Sequence, residues 1–130
     1  MEYAYVWRTL LRAGVPVAGG SDAPVEPPEP LRGMADAMEH QLAAKERMSF
    51  QEALSIYTLG GAYAARAEGR LGSLEVGKEA DLVVLSCRHG AQEMTAEVLR
   101  SCHVEKVYLP PGGACRDLSG CAWCHVQPSS

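Results

Sequence analysis

Apolar and polar side chains alternate along the first part of the chain in a way that predicts a helix, a strand and a polar loop. Apolar residues recur at intervals of three and four and share one helical face, and Gly14 supplies a C-terminal stop. The small apolar run over 15–20 predicts a buried strand, with Pro16 near its start, where a missing ladder donor is tolerated. Ser21 and Asp22 then begin a proline-rich loop, so polar groups stand where the strand ends.

Two further helices are predicted before residue 69. Helical spacing over 30–45 predicts the first of them, with proline in its opening turn. Ser49 and Glu52 match a capping box, in which the hydroxyl and the carboxylate satisfy free amide donors at a helix start. The third helix therefore begins after Ser49, and we expect the glycine pair at 60–61 to interrupt it before a last helical run over 62–67.

The pattern changes near Gly69 from helical spacing to short apolar runs separated by turn residues. Turn-forming residues at 75–78 and 110–113 divide these runs. The tail from 119 onward has no periodicity. The elements predicted in this half are a hairpin over 71–85, a short helix over 93–100, a strand over 104–109 and a final strand over 114–118.

The order of elements indicates an α/β fold in two parts. A helix, a strand, a loop and a helix form half of a right-handed crossover unit, and a strand in such a unit needs parallel neighbours on both sides. The later strands alternate with turns and therefore read as antiparallel. The run over 15–20 finds no parallel neighbour in this sequence, so we expect the chain to be incomplete as a fold.

Composition excludes several classes of protein. The chain has 130 residues, of which 47% are hydrophobic and 22% charged, as expected for one modest globular core. The net charge is −4 and the cations are scattered, so we expect no nucleic-acid partner. No apolar stretch approaches the roughly 20 residues of a membrane-spanning helix, so we expect no membrane partner. The first residues also lack the pattern of a secretory signal.

The five cysteines are an odd number gathered in the last third of the chain, which does not suit a disulfide framework. We predict reduced thiols and, on that basis, a cytoplasmic location. Residues 121–125 also match C-X-X-C-H, which is the attachment motif of c-type haem. Zinc held by Cys121 and Cys124 with Cys102, His103 or Cys115 is an alternative, and a tail of free thiols is the interpretation we favour.

A few polar residues are candidates for a functional role, and each also has a structural interpretation. Asp22 either caps the local turn, as aspartate often does before a proline-containing loop, or presents its carboxylate to a ligand. His40 follows the apolar stripe of the second helix and is predicted to be solvated rather than a ligand. Tyr57 has the helical spacing of a core residue, whereas Lys78 and Asp81 suit the chemistry of the predicted turn.

Four blocks of the sequence, in order, resemble the C-terminal third of the amidohydrolase superfamily, and most closely its YtcJ-like branch. The last block is the most specific, because a glycine, a glycine-lysine pair and an alanine-aspartate pair stand at fixed offsets around one turn. The resemblance extends through about Tyr108. The blocks are residues 7–17, 20–25, 52–58 with Ala62, and 71–85.

The resemblance implies both an architecture and a reaction. Residues 1–69 would form the last β/α units of a (β/α)8 barrel, 70–118 the closing strands of a composite β-sandwich, and 119–130 a cysteine-containing tail. The implied reaction is hydrolysis of non-peptide C–N bonds in small amide-type substrates by hydroxide bound to a divalent metal, usually zinc. Asp22 matches the family's metal-ligating aspartate, which also accepts the proton of the metal-bound water.

The chain departs from the family pattern because the family's His-X-His motif, its bridging lysine or glutamate, and its two later histidines have no counterparts here. A catalytic zinc normally takes three protein ligands, so one carboxylate cannot hold it. We therefore expect the isolated chain to lack metal, to be inactive and to self-associate through exposed barrel surface. The alternative is a non-catalytic scaffold or pseudoenzyme whose cysteine-rich tail binds a metal or a partner.

Overall fold

A computed structural model describes residues 4–87 and 93–109, and its fold is mixed α/β with a two-stranded antiparallel sheet. The helices precede the strands, apart from one helix that lies between them. The elements are α1 Trp7–Arg12, α2 Pro30–Glu39, a 3₁₀ turn at Ala44–Glu46, α3 Phe50–Tyr57, α4 Leu59–Ala64, β1 Leu82–Ser86, α5 Ala96–Ser101 and β2 His103–Tyr108.

The core lies where α2 contacts α3 on one side and α5 on the other. Ala35, Ala53 and Leu99 come from these three helices and are completely buried. Small alanine side chains let the helix backbones approach closely, and the larger Met34, Ile56 and Leu99 fill the remaining space. Helix α5 thereby attaches the strand pair, with which it is continuous in sequence, to the helical half of the chain.

A buried carboxylate holds the start of α1. The Glu46 side chain is almost fully buried, and it accepts hydrogen bonds from the Thr9 hydroxyl at 2.5 Å and the Thr9 amide at 2.9 Å. That amide is one of the donors left without a partner at a helix N-terminus, where negative charge is favourable. The two bonds from Thr9 lower the pKa of Glu46.

The predicted capping box is confirmed at the start of α3. The Ser49 hydroxyl accepts from the Glu52 amide at 3.2 Å, and the Ser49 amide donates to the Glu52 carboxylate at 2.7 Å. The same carboxylate accepts from Nε of Arg8 at 3.0 Å. Glu52 therefore fixes the beginning of α3 and also ties that helix to α1.

The predicted helices exist, but several boundaries were wrong. The second helix ends at Glu39 rather than near residue 45, because His40 has a φ of 22° and leaves helical geometry. The break between α3 and α4 falls at Thr58, with ψ of −80°, so the glycine pair lies inside α4. The stop at Gly14 is confirmed, since its φ is 78°.

The segment over 15–20 is not the predicted buried strand. No ladder forms along it within the described residues, and Val15 is 44% exposed. The physical reason is that a parallel strand requires neighbours, and the described part of the chain offers none. Its contacts are with helices instead, because the Gly19 amide donates to the Ile56 carbonyl at 2.9 Å.

The predicted hairpin over 71–85 was also wrong. Strand β1 pairs antiparallel with β2, in a register that sets Leu82 opposite Tyr108 and Ser86 opposite His103. The turn over 75–78 does form, since the Lys78 amide donates to the Glu75 carbonyl at 3.1 Å and Gly77 has a φ of 94°. The predicted turn at 110–113, the strand over 114–118 and the tail lie outside the described residues.

The reduced-thiol prediction was wrong for one pair of cysteines. Cys87 and Cys102 lie opposite each other, one step beyond the last paired residues of the ladder, and they form a disulfide with Cα atoms 4.1 Å apart. Cys115, Cys121 and Cys124 lie outside the described residues. Within 4–87 and 93–109, no helix combines the length and the hydropathy needed to cross a lipid bilayer.

Glu46 should make the fold sensitive to acid. Its pKa is lower in the folded chain than in the unfolded chain, so its contribution is complete above the unfolded pKa and is lost as pH falls through the folded pKa. The free energy of unfolding, measured with urea at pH values from 7 to 3, should therefore fall more in the wild type than in Glu46→Gln. The exposed Glu68→Gln is the matched control, and an unchanged acid dependence in Glu46→Gln would contradict this role.

The disulfide should stabilise the oxidised chain. Cys87 and Cys102 are 15 positions apart, and closing a loop of that size stabilises a fold by about 3 kcal/mol in the chain-entropy model. We expect Cys87→Ser to lower the free energy of unfolding by about this amount. The comparison belongs in a background in which the three tail cysteines are serine. There, a reducing agent should shift the urea midpoint of the parent but not that of Cys87→Ser.

Candidate functional site

Asp22 lies on an exposed turn at the end of the segment over 15–20. Its carbonyl accepts from the Val25 amide at 2.9 Å, and the Ser21 carbonyl accepts from the Glu26 amide at 3.3 Å. The Asp22 φ of 50° is in the left-handed region, which aspartate tolerates better than most residues. The residue is exposed, and it is part of the lining of a cavity.

The turn borders a cavity of about 510 Å³, within the usual size range of small-molecule sites. Its walls come from the segment before Asp22, from the start of α1, from α2 and the residues after it, and from the end of α3; Tyr5, Trp7 and Tyr57 are among them. A smaller cavity of about 240 Å³ lies beside it, under the proline-rich loop. Residues shared by both cavities are Gly19, Gly20, Ser21, Glu26, Gly33, Asp36 and Tyr57.

His40 is part of the wall rather than a solvated residue, which corrects the prediction. Its side chain is buried, and the ring of Trp7 packs against it at 5.4 Å between centroids. The Ala43 amide donates to Nδ1 at 3.1 Å, so Nδ1 carries no proton, and Nε2 donates to the Tyr5 carbonyl at 3.0 Å. Both ring nitrogens therefore serve backbone groups, and neither is free to bind a metal.

Tyr57 packs against the core, as its spacing predicted, and it also lines both cavities. The side chain is partly buried, and its ring fits between two glycines. A methyl group on Gly19 would come within 2.6 Å of the ring, and one on Gly33 would overlap the hydroxyl oxygen. Burial raises the pKa of Tyr57, and the carboxylates of Glu26 and Asp36 raise it further, so the hydroxyl keeps its proton at neutral pH.

The acidic groups around the cavities differ in their partners. Asp36 accepts from Nη2 of Arg100 at 2.6 Å and lies 3.9 Å from Nε of Arg32, so it serves the contact between α2 and α5. Within the described residues, no salt bridge involves Asp22 or Glu26. Asp22 and Glu26 are thus the acidic groups of the turn that remain available to a ligand.

A metal ion does not fit the described residues by themselves. Among 4–87 and 93–109, no three histidine, cysteine or acidic side chains lie close enough together to hold one. Asp22 could supply a single ligand, whereas a catalytic zinc takes three from protein. The C-X-X-C-H motif and three of the candidate zinc ligands, Cys115, Cys121 and Cys124, lie outside the described residues. Cys102, another candidate ligand, is instead bonded to Cys87.

The fold and the cavity are those of an α/β protein with room for a small molecule. An exposed acidic residue, Asp22, lies on a turn beside that cavity. The family profile described as "Amidohydrolase family" matches residues 1–109, and this chain belongs to that family. This confirms the resemblance read from the four blocks. No solved structure matches the chain.

Curated relatives agree with this placement. "Putative amidohydrolase YtcJ" of Bacillus subtilis is 35% identical over 95 residues, and "Protein LONG AFTER FAR-RED 3" of Arabidopsis thaliana is 38% identical over 93 residues; each match covers 66% of this chain. "Imidazolonepropionase" of Syntrophobacter fumaroxidans is 41% identical over 81 residues, or 60% of this chain. The matched parts make up 16–18% of the relatives' own lengths, so the chain spans less than a fifth of each.

Gly60 should be required where α4 meets the segment leading to Asp22. A methyl group there would overlap the Val17 carbonyl oxygen, whereas one on Gly61 in the same helix would meet nothing within 4 Å. We expect Gly60→Ala to destabilise the chain by about 1–3 kcal/mol through overpacking. Gly61→Ala should be neutral or should stabilise by up to about 1 kcal/mol. Urea unfolding of both variants checks this, and equal effects would refute the contact.

Proposed function

We propose that this chain is part of a metal-dependent amidohydrolase that hydrolyses non-peptide C–N bonds in small amide-type substrates. In this proposal Asp22 supplies one metal ligand and accepts a proton during the reaction. The observation that carries it is the exposed Asp22 carboxylate at the mouth of a cavity of about 510 Å³, in a chain that belongs to a hydrolase family. The relative named imidazolonepropionase supports the hydrolase assignment.

The proposed architecture completes the unpaired segment over 15–20 as the last strand of a (β/α)8 barrel. Its parallel neighbours would come from polypeptide beyond the 130 residues, which is consistent with a chain that spans 16–18% of its relatives' lengths. Residues 1–69 would be the last β/α units and 70–118 the closing strands of the β-sandwich. Sites in such barrels lie at the carboxyl ends of the strands, which is the position of Asp22 in this arrangement.

The proposed chemistry divides between the metal and the chain. A divalent metal such as zinc, when bound, lowers the pKa of coordinated water to about 7, so that hydroxide is available near neutrality. An ionised Asp22 beside that water can accept the proton and return it to the departing nitrogen. The aromatic walls contributed by Trp7 and Tyr57 would enclose the apolar part of a small substrate.

The remaining parts of the proposal concern the isolated chain. We propose that it is inactive by itself, because the described residues bring no group of three metal-ligating side chains together, which is the number a catalytic zinc takes. Exposed apolar side chains such as Leu10, Val15 and Leu59 favour self-association. A cytoplasmic location stays a prediction and loses the support of reduced thiols, since disulfides persist mainly in oxidising compartments. Nucleic-acid and membrane partners are not part of the proposal.

The test uses the complete protein that contains this chain, loaded with zinc and assayed with the chromogenic amide p-nitroacetanilide. Asp22→Asn should lower kcat by about 10²–10⁴-fold, the range for removing a general acid–base group, and should also reduce bound zinc. Glu68→Gln changes an exposed carboxylate that lines neither cavity; it is the control and should retain both.

The scaffold alternative predicts a different result. If the 130-residue chain alone bound one zinc per chain, lost it on Cys121→Ser and kept it on Asp22→Ala, the tail would be the metal site. Full hydrolysis and full zinc content in Asp22→Asn of the complete protein would also refute the proposed role of Asp22.

A further inference from the structure

The ring of Tyr57 lies directly against the backbone that carries Asp22. An added methyl on Gly19 would be 2.6 Å from Cε2 and 2.7 Å from Cδ2 of the ring, so the glycine backbone and the ring edge are in close contact. Gly19 stands three positions before Asp22. A side chain at position 19 would force the ring and the segment apart.

The opposite edge of the same ring lies against α2. A methyl on Gly33 would overlap the Tyr57 hydroxyl oxygen and come within 2.9 Å of the ring carbon that bears it. Tyr57 therefore fills the space between α2 and the segment over 15–20, and glycine on each side is what admits it. The hydroxyl sets the distance to α2, while the ring sets the distance to the segment.

A backbone hydrogen bond also holds the segment over 15–20 against helix α3. The Ile56 carbonyl, one residue before Tyr57, accepts from the Gly19 amide at 2.9 Å. Helix α3, which carries both residues, is itself fixed by its capping box and by the bond from Arg8 to Glu52. A chain of short contacts thus runs from the anchored start of α3, through Tyr57, to the turn that presents Asp22.

We propose that Tyr57 is a positioning residue for Asp22, acting through the contact of its ring with Gly19. This inference deepens the proposed function and rests on it for the role of Asp22, but the placement of the turn by Tyr57 can be tested separately. We expect the ring rather than the hydroxyl to place the segment, because the atoms nearest to Gly19 are ring carbons, Cε2 and Cδ2 first. The protonated hydroxyl adds no charge beside the turn.

The first experiment measures hydrogen exchange in the 130-residue chain, without metal or substrate. Tyr57→Leu should raise the exchange rate of a peptide covering 17–26 by about tenfold or more, while a peptide covering 82–86 stays unchanged. Tyr57→Phe keeps the ring and should exchange like the wild type. Tyr63→Leu removes an exposed tyrosine and is the matched control. Unchanged exchange over 17–26 in Tyr57→Leu, or equal acceleration over 82–86, would overturn the inference.

A second experiment tests the fit of the ring between the two glycines. Gly33→Ala should displace the ring and raise exchange over 17–26, because the new methyl overlaps the hydroxyl. Adding Tyr57→Phe removes that oxygen and should move exchange back toward the wild-type rate. If the double variant exchanged as fast as Gly33→Ala alone, the Tyr57 ring would not be held between Gly19 and Gly33 as proposed.

The third experiment uses the complete protein and measures zinc affinity by competition with a chromogenic chelator. Tyr57→Leu should weaken zinc binding by about 10–100-fold, as expected for a residue that orients a metal ligand, and Tyr57→Phe should restore it. With p-nitroacetanilide, kcat should fall together with zinc affinity, whereas the loss of a cavity wall alone would raise KM and leave zinc affinity unchanged. Unchanged zinc affinity and kcat in Tyr57→Leu, with both lost in Asp22→Asn, would overturn only the positioning role. Exchange changes without any effect of Asp22→Asn would instead overturn the proposed function.

Discussion

Close approach between helix and backbone, which glycine alone permits, determines where the turn carrying Asp22 stands. Gly60 brings α4 against the Val17 carbonyl, and Gly19 and Gly33 admit the ring of Tyr57 between α2 and the segment over 15–20. The segment gains no ladder hydrogen bonds within the described residues, so these helix contacts replace the neighbours that a strand would have. The orientation of the candidate site depends on them.

Carboxylates have two different roles in this chain, one structural and one proposed for ligand binding. Glu46 and Glu52 each accept bonds from backbone amides as well as from side chains, and they fix the starts of α1 and α3. Such carboxylates are occupied by the fold itself. The Asp22 side chain is exposed at a cavity rim, and no described salt bridge involves it. Glu46 and Glu52 are thus committed to the fold, whereas Asp22 keeps its carboxylate for a ligand in the proposed function.

Local signals were readable from the sequence, and long-range ones were not. The capping box at Ser49 and the stop at Gly14 each depend on a few neighbouring residues, so both predictions are confirmed. The partner of β1 lies beyond an intervening helix, and no periodicity in β1 identifies β2 as that partner. His40 was predicted to be solvated, but it is buried. Its ring bonds to the backbone of Tyr5 and Ala43, and helical spacing gives no sign of these contacts.

The role of Asp22 came from the family resemblance and stays a prediction. Tyr57 was predicted as a core residue, and it does pack against the core, but the sequence did not place it on the cavity wall. Core residues and cavity walls share the same helical spacing, and the missing signal was the pair of glycines that the ring contacts. The Cys87–Cys102 bond closes a covalent ring of polypeptide that includes all of α5. Helix α5 cannot leave α2 without drawing both strands with it, so the helical half and the strand pair should lose their structure in a single cooperative transition.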